Sequence, residues 1–209
     1  MTSLSQVAGG EMSTEATATP IDSVNGKKEV AQETPTSVLP EKAKNSVYHV
    51  ITNDGAAQNS IWLVNAKEIF ATQLPKMPRE YIVRLVMDRK HKTMVLVEGN
   101  TRVIGGICYR PNYEDHFAEI AFCAVDSREQ VRGYGTALMH RMKEYVKQQG
   151  IQYLLTYADD HATGFFKKQG FSKDISLPRD IWGGYIKEYD GGTFMECALH
   201  MNVDYMQLK

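Results

Sequence analysis

The stretch over residues 117–136 limits the possible folds of this chain more than any other, because it passes from an apolar strand through a glycine-rich turn into a helix. Its first nine residues read FAEIAFCAV and are apolar except for Glu119. Apolar side chains on both faces are typical of a central strand that is covered on both sides. Strict alternation along the strand places Glu119 on one face together with Phe117, Ala121, Cys123 and Val125.

Glu119 is the one charged residue of this strand, and two interpretations fit it. Removing an unpaired carboxylate from water is costly, so burial raises the pKa of the group. A carboxyl group with a raised pKa is an effective proton acceptor near neutral pH. On the first interpretation Glu119 is therefore a general base. On the second it lies in an edge strand and pairs with a lysine across the sheet.

The turn that follows the strand, residues 130–136, reads QVRGYGT. Gly133 and Gly135 allow positive φ angles and a close approach of a ligand to the backbone. An apolar stripe at helical spacing comes next, and Gly150 lies where that helix should end. The unpaired amides at such a helix start favour an anion, for which a phosphate is the natural candidate. A tight loop without a ligand is the simpler alternative, and the order of strand, acid, turn and helix favours the anion site.

Outside this stretch the sequence predicts a disordered tail followed by a single domain. Residues 1–46 contain no aromatic side chain, so they cannot bury enough apolar surface to offset the entropy lost on folding. Residues 47–209 predict one α+β domain whose mixed, mostly antiparallel sheet is flanked by helices. A strand, a helix and a further strand over 117–157 predict one parallel pair. Strands are predicted at 47–52, 93–98, 102–109, 117–125, 151–157 and 194–199, and helices at 60–73, 79–87, after residue 136 and at 162–169.

Composition argues against several classes of function. A net charge of −1 is unlike the broad basic surface of a nucleic-acid-binding protein. The three cysteines, Cys108, Cys123 and Cys197, lack the spacing of zinc ligands and indicate free thiols in a reducing compartment. The chain shows no signal segment and no apolar run long enough to cross a membrane. We therefore expect an intracellular protein without a metal, without direct nucleic acid binding and without membrane association.

Several blocks of the chain, taken together, resemble one known family. The segment QVRGYGT is similar to the pyrophosphate loop of the GNAT acetyltransferase superfamily, whose pattern is Q/R-x-x-G-x-G/A. The blocks QLPKMPREYIVRLV, FAEIAFCAV, EQVRGYGTALM, YLLTYADDHATGFFKKQGF and WGGYIKEYDGGTFMEC resemble the catalytic domain of nuclear histone acetyltransferases. The branch in question contains PCAF and the "general control nonderepressible" enzymes. The resemblance covers roughly residues 47–205 and rests on the order of the blocks.

The resemblance implies a GNAT fold and a transfer of the acetyl group from acetyl-CoA to a lysine of a histone tail, most often that of core histone three. It also implies a nuclear protein that acts in transcription activation within a coactivator complex. Glu119 would be the general base, acting directly or through a water, in a ternary complex. The amide of Cys123 would polarise the thioester carbonyl.

The same resemblance implies a set of cofactor-binding residues. The main chain of Cys123, Ala124 and Val125 would contact the acetyl and pantetheine portions of acetyl-CoA. Arg132 stands where the family often has lysine, and His161 stands where it usually has tyrosine or phenylalanine. The pyrophosphate would be wrapped by Gln130, Val131, Arg132, Gly133, Tyr134, Gly135 and Thr136, and His161 and Phe165 would lie beside the pantetheine arm.

Alternatives stay open for both chemistry and function. A Cys123 thiolate that is acetylated first is a rival to direct attack. A small-amine acetyltransferase and a non-catalytic acetyl-CoA-binding module are rivals to the histone enzyme. The presence of Glu119 argues against the binding module, and the resemblance around 190–193 favours the histone enzyme. Four acidic residues are either an approach for a basic tail or solvated loop charges, namely Asp159, Asp160, Glu188 and Asp190.

Overall fold

The computed structural model describes residues 46–130 and 132–208. Of the predictions above, the tail lies outside these residues except for Ser46, which already belongs to the first strand. Val131, one of the predicted pyrophosphate residues, also lies outside the described residues.

Six strands in this part of the chain form one sheet, in which neighbours follow the order of the sequence. The pair formed by Phe117–Val125 and Tyr153–Ala158 is parallel, and the other neighbouring strands are antiparallel. The predicted mixed sheet with one parallel pair is therefore confirmed. The strands are β1 (Ser46–Ile51), β2 (Lys92–Glu98), β3 (Arg102–Asn112), β4 (Phe117–Val125), β5 (Tyr153–Ala158) and β6 (Thr193–Ala198).

Helices cover both faces of this sheet, as its apolar strands require. Phe70 and Ile82, which lie in the first two helices, pack with strand residues such as Val95 on one face. Leu138 and Met142, which lie in the third helix, pack on the other face. The helices are α1 (Ala57–Gln73), α2 (Arg79–Met87), α3 (Tyr134–Gln148), α4 (Thr163–Lys168) and α5 (Arg179–Trp182), with 3-10 turns at Ser127–Glu129 and Tyr205–Gln207.

The glycine pair Gly105–Gly106 in β3 brings backbones close together. A Cβ atom on Gly105 would lie 2.8 Å from the carbonyl oxygen of Ala124, and one on Gly106 would lie 2.8 Å from that of Met94. The β2–β3 register also shifts beside Gly105, between Leu96 and Val97. A bulge and a close approach therefore occur together, and a larger residue would push β4 away from β3 at Gly105 and β2 away from β3 at Gly106.

A second bulge lies in β4 itself. Tyr109 pairs with Ile120 and Cys108 pairs with Phe122, so Ala121 is the additional residue on β4. A bulge of this kind bends the strand and moves the following side chains to the opposite faces.

Because of this bulge, the predicted division of β4 into two faces holds as far as Ala121 and was wrong beyond it. Glu119 alternates with residues that face α3, and it therefore points towards the α1–α2 side. It shares that side with Phe122 and Ala124 rather than with Cys123 and Val125. The α3 side of β4 carries Ala118 and Ile120 before the bulge, and Cys123 and Val125 after it.

Candidate active site

The candidate site lies where the parallel strands part. In the described residues β4 and β5 pair from Phe117↔Tyr153 to Ile120↔Thr156 and no further. The hydroxyl of Thr156 donates to the carbonyl oxygen of Ile120 at 3.0 Å and closes the last paired position. Beyond it, β4 continues to Val125 with β3 as its strand neighbour. One backbone edge of β4 therefore faces an opening rather than a paired strand, next to Glu119.

Glu119 lies in a central strand, so the edge-strand interpretation is wrong. The residue is 9 % exposed, and burial raises the pKa of its carboxyl group to about 7. Its partner across the sheet is an arginine, because Arg110 on β3 is directly opposite. The distance from Arg110 Nε to Glu119 Oε2 is 3.7 Å, and this positive charge opposes the rise of the pKa. A carboxyl group in this state is nearly half ionised at pH 7 and can accept a proton there.

We expect Glu119→Gln to change the free energy of unfolding in a pH-dependent way. Relative to the wild type, the variant should be more stable at pH 8 than it is at pH 4. The folded pKa lies above the ordinary value of 4.5, so the folded state binds the proton more tightly than the unfolded state, and wild-type stability falls as pH rises from 4.5 to about 7. Glutamine does not ionise and avoids this loss, about 3 kcal/mol at about 1.36 kcal/mol per pKa unit. Urea unfolding of both proteins at the two pH values measures the difference, and an equal effect at both would contradict the raised pKa.

The glycine turn places the start of α3 beside the same opening. Gly133 precedes the helix with φ = 81°, a left-handed conformation that favours glycine. No side chain of the described residues caps the helix, and its first turn carries no acidic residue. The first amides of a helix have no partner within it, so this end offers donors and a positive dipole to an anion. A Cβ atom on Gly133 would meet no described heavy atom within 4 Å, which leaves room for a ligand.

Gln130 and Arg132 hold this turn in place. The Gln130 side chain donates to the carbonyl oxygen of Val125 at 3.2 Å and to the side chain of Gln73 at 2.9 Å. Arg132 Nη1 donates to Glu129 Oε2 at 2.6 Å. The positive charge of Arg132 is therefore paired with a carboxylate in this structure.

The other residues predicted to bind the cofactor, around the start of α3 and in α4, range from buried to exposed. Tyr134 is buried in the core between α3 and the sheet, so its backbone amide is the group it offers to a ligand. Phe165 is half-buried, and its ring lies 3.4 Å from where a Cβ atom on Gly135 would be. Thr136 accepts a hydrogen bond from Gln169 at 3.1 Å. His161 is exposed, and its amide donates to the carboxylate of Asp159 at 2.9 Å.

A row of three tyrosine rings, which the sequence did not predict, begins at Tyr81, and the charge of Glu119 acts on this residue. The ring of Tyr81 lies 5.8 Å from that of Tyr189, which lies 5.9 Å from that of Tyr157. Burial raises the pKa of Tyr81, and the charge of Glu119 adds to the rise. The Lys187 ammonium group lies 5.6 Å from the ring centre of Tyr81 and 5.8 Å from that of Tyr189. These ring faces therefore accept an ammonium group.

The four acidic residues predicted near the acceptor have different surroundings. Asp159 accepts hydrogen bonds from the amides of His161 and Ala162, so it shapes the turn before α4. Glu188 pairs with Arg179 at 3.2 Å. Asp160 and Asp190 are exposed. Within the described residues no group of three His, Cys, Asp or Glu side chains is arranged to hold a metal ion. None of the described helices has the length and apolarity to span a bilayer.

Comparison with known proteins connects this geometry to one family. The sequence profile of the Acetyltransferase (GNAT) family matches residues 61–171. Over 169 residues the chain is 51 % identical to the histone acetyltransferase GCN5 of Oryza sativa subsp. japonica, covering 80 % of this chain and 33 % of the relative. It is 50 % identical over 173 residues to GCN5 of Yarrowia lipolytica, covering 82 % and 37 %. The chain thus spans about a third of the length of these curated relatives.

Solved structures show the same relationship. The crystal structure of Tetrahymena GCN5 superposes with a TM-score of 0.74 at 55 % identity, covering 76 % of this chain and 99 % of the other. The catalytic domain of Tetrahymena GCN5 in complex with coenzyme A gives a TM-score of 0.64 at 54 % identity, covering 77 % and 96 %. A putative acyl-CoA N-acyltransferase from Klebsiella pneumoniae shares the fold, with a TM-score of 0.52 at 15 % identity, covering 76 % and 99 %.

Proposed function

The chain belongs to the GNAT acetyltransferase family, and from this we propose that it transfers the acetyl group of acetyl-CoA to a lysine of a histone tail. One observation carries the proposal: a buried glutamate with a pKa of about 7 lies at the point where β4 and β5 part. Relatives that are about half identical to this chain are named histone acetyltransferases.

The residues present fit acetyl-CoA, which would supply an activated acetyl group. The uncapped start of α3 and the open space at Gly133 would take the pyrophosphate on backbone amides. The unpaired edge of β4 after the bulge, at Cys123, Ala124 and Val125, would bind the pantetheine arm by its main chain. Phe165 would pack beside this arm, and the exposed His161 would lie further out.

A base is required because the acceptor is an ammonium ion at neutral pH. With a reference pKa near 10.4, only about one lysine in 2,500 is neutral at pH 7, a deficit of about 4.6 kcal/mol. Glu119 accepts the first proton directly or through a water. The neutral amine then attacks the thioester carbonyl, the N–C bond forms and the C–S bond breaks, and CoA leaves as a thiolate that takes up the second proton of the amine. The amide of Cys123 is proposed to donate to the carbonyl oxygen as negative charge develops on it.

The aromatic row supports a lysine as the acceptor. Tyr81 and Tyr189 already lie beneath the ammonium group of Lys187, and the charge of Glu119 acts on Tyr81. An incoming lysine would pass over the same faces, with its methylene groups against the rings and its nitrogen towards the carboxylate. We propose the tail of core histone three as the substrate, and we place the protein in the nucleus within a transcriptional coactivator complex.

Turnover of acetyl-CoA with three acceptors tests the function: a histone three tail peptide, spermidine, and buffer alone. We expect turnover on the peptide, and no turnover when all of its lysines are replaced by arginine. The rate should fall about tenfold per pH unit below the pKa of about 7 and level off above it, because the base must be ionised. Turnover on spermidine alone would exclude the histone substrate, and binding without turnover would indicate a non-catalytic module.

Cys123→Ala is expected to leave turnover close to that of the wild type. Burial raises the pKa of the Cys123 thiol to about 12, so roughly one thiol in 10⁵ is ionised at pH 7 and a thiolate route is disfavoured. A free cysteine on an apolar strand is usually a small buried side chain. Steady-state kinetics on the histone peptide measures the effect, and a loss of about 100-fold or more would establish the acetyl-cysteine route instead.

A further inference from the structure

Arg110 is the charged group that faces Glu119 across β3 and β4, and it is held in a fixed position. Its guanidinium carbon lies 3.6 Å from the ring centre of Tyr185, and its Nη2 donates to the carbonyl oxygen of the same residue. One tyrosine thus binds the arginine both through its ring and through its backbone.

Tyr185 is in turn fixed at two further points. Its hydroxyl group donates to the carbonyl oxygen of Pro111 at 3.0 Å, and its ring packs edge-on against Phe117 at 5.0 Å. Phe117 is fully buried at the start of β4, two residues before Glu119. The guanidinium is therefore tied to the strands that carry Arg110 and Glu119, and it cannot turn away without breaking these contacts.

The contact between Arg110 and Glu119 is one of charge and not a hydrogen bond. The Nε–Oε2 distance of 3.7 Å is too long for a hydrogen bond, and Arg110 Nε is buried without a hydrogen-bond partner among the described residues. A bidentate pair would occupy the lone pairs of the carboxylate and hold it ionised at low pH. A charge at 3.7 Å favours the ionised form and leaves the oxygens free to accept a proton.

Other titratable groups near Glu119 do not replace this charge. Tyr81 of α2, Tyr185 and Cys108 of β3 interact with the charge of Glu119, and burial raises the pKa of each. All three are uncharged at neutral pH, since tyrosine and cysteine ionise by losing a proton. Arg110 is the cation that acts on the carboxyl group of Glu119.

We infer that Arg110 is a positioning residue that keeps Glu119 in its proton-accepting form, and that Tyr185 fixes the guanidinium at a distance where it acts through charge alone. The inference rests on the proposed role of Glu119 as general base. Burial raises the pKa of the carboxyl group, and the charge of Arg110 opposes that rise, so the arginine increases the fraction of Glu119 that is ionised at neutral pH. Arg110 therefore sets the lower end of the pH range of activity.

The pKa of Glu119 in Arg110→Met tests this inference without the need for turnover. The Glu119 ¹³Cδ resonance in glutamate-labelled protein, assigned by its absence from Glu119→Gln, is followed from pH 4 to 10. We expect Arg110→Met to raise this pKa by about 1 or more. The acid limb of kcat/KM should move by the same amount, with about a tenfold loss at pH 6.5, recovery near pH 9 and unchanged affinity for CoA. An unmoved pKa in the folded variant would overturn the inference.

Two variants and a control separate charge from packing. Arg110→Lys keeps the charge, so the pKa of Glu119 in this variant should lie close to the wild-type value. A purely structural role of Arg110 would not predict this result. Tyr185→Leu keeps Arg110 but removes the ring that packs on its guanidinium group. This variant should also raise the pKa of Glu119. An unchanged pKa would overturn the role of Tyr185. Arg89→Met removes the same charge from an exposed turn and should leave the titration unchanged. Wild-type protein that shows the titration but acetylates no histone peptide would refute the proposed function alone.

Discussion

Glu119→Gln is expected to lower kcat/KM on a histone peptide at pH 7 by about 100- to 10,000-fold, the usual contribution of a general base. Glutamine keeps the shape of the side chain and the strand register, and it cannot accept the proton of the lysine ammonium. Affinity for CoA should be unchanged, because the residues proposed to bind the cofactor lie beyond the bulge and in the turn before α3. The defect should shrink towards pH 10, where solution removes the proton of the lysine instead.

Rates between pH 6 and 10, together with calorimetry of CoA binding, measure these effects. Glu114→Gln is the matched control, since it makes the same chemical change in an exposed turn five residues away. It should have no effect on either quantity. Activity of Glu119→Gln at pH 7 equal to that of the wild type would show that another group accepts the proton.

Local signals in the sequence were sufficient where one residue sets the boundary of an element. The helix predicted at 79–87 is Arg79–Met87, because Pro78 with φ = −58° fixes its start. Gly150 ends α3 with φ = 82°, as predicted. The strand predicted from residue 151 begins at Tyr153 instead, since the amide of Ile151 donates to Val146 and completes the end of the helix.

The bulge at Ala121 was not predictable by the same means. A single additional residue in a uniformly apolar strand leaves no trace in an alternating pattern, because both faces of β4 are covered. Cys123 and Val125 were therefore assigned to the same side of the sheet as Glu119, although they lie on the α3 side. The prediction that Glu119 is a buried acid on a central strand did not depend on the assignment of these two residues.

Arg110 was within reach of sequence reasoning and was missed. Once the turn at 113–116 joins β3 and β4, antiparallel counting from Asn112↔Phe117 leads to Arg110↔Glu119. The third strand was predicted to end at residue 109, which left Arg110 outside the predicted sheet. The contact between Tyr185 and Arg110 was not predictable. The two residues are 75 positions apart in the sequence, and the connector after α5 brings them together.

Gly133→Val is expected to weaken CoA binding by at least about 30-fold, equivalent to about 2 kcal/mol. Two effects act together. A β-branched residue at φ = 81° is strained, so the turn would move away from its present backbone conformation. The valine side chain would also fill the space in front of the first amides of α3, where the described residues leave at least 4 Å free. Calorimetry with CoA and with dephospho-CoA measures the loss, which should be equal for both since each carries the pyrophosphate.

Gly55→Val separates strain from obstruction. Gly55 has φ = 88° and likewise no described heavy atom within 4 Å of a built Cβ atom, but it lies in the turn before α1. Both variants should lose a similar free energy of unfolding, about 1–2 kcal/mol, because the same conformational strain is imposed on each. Only Gly133→Val should lose affinity for CoA. If Gly133→Val bound CoA as tightly as Gly55→Val, the pyrophosphate would have to bind elsewhere. An obstructed turn cannot hold it on the backbone amides of α3.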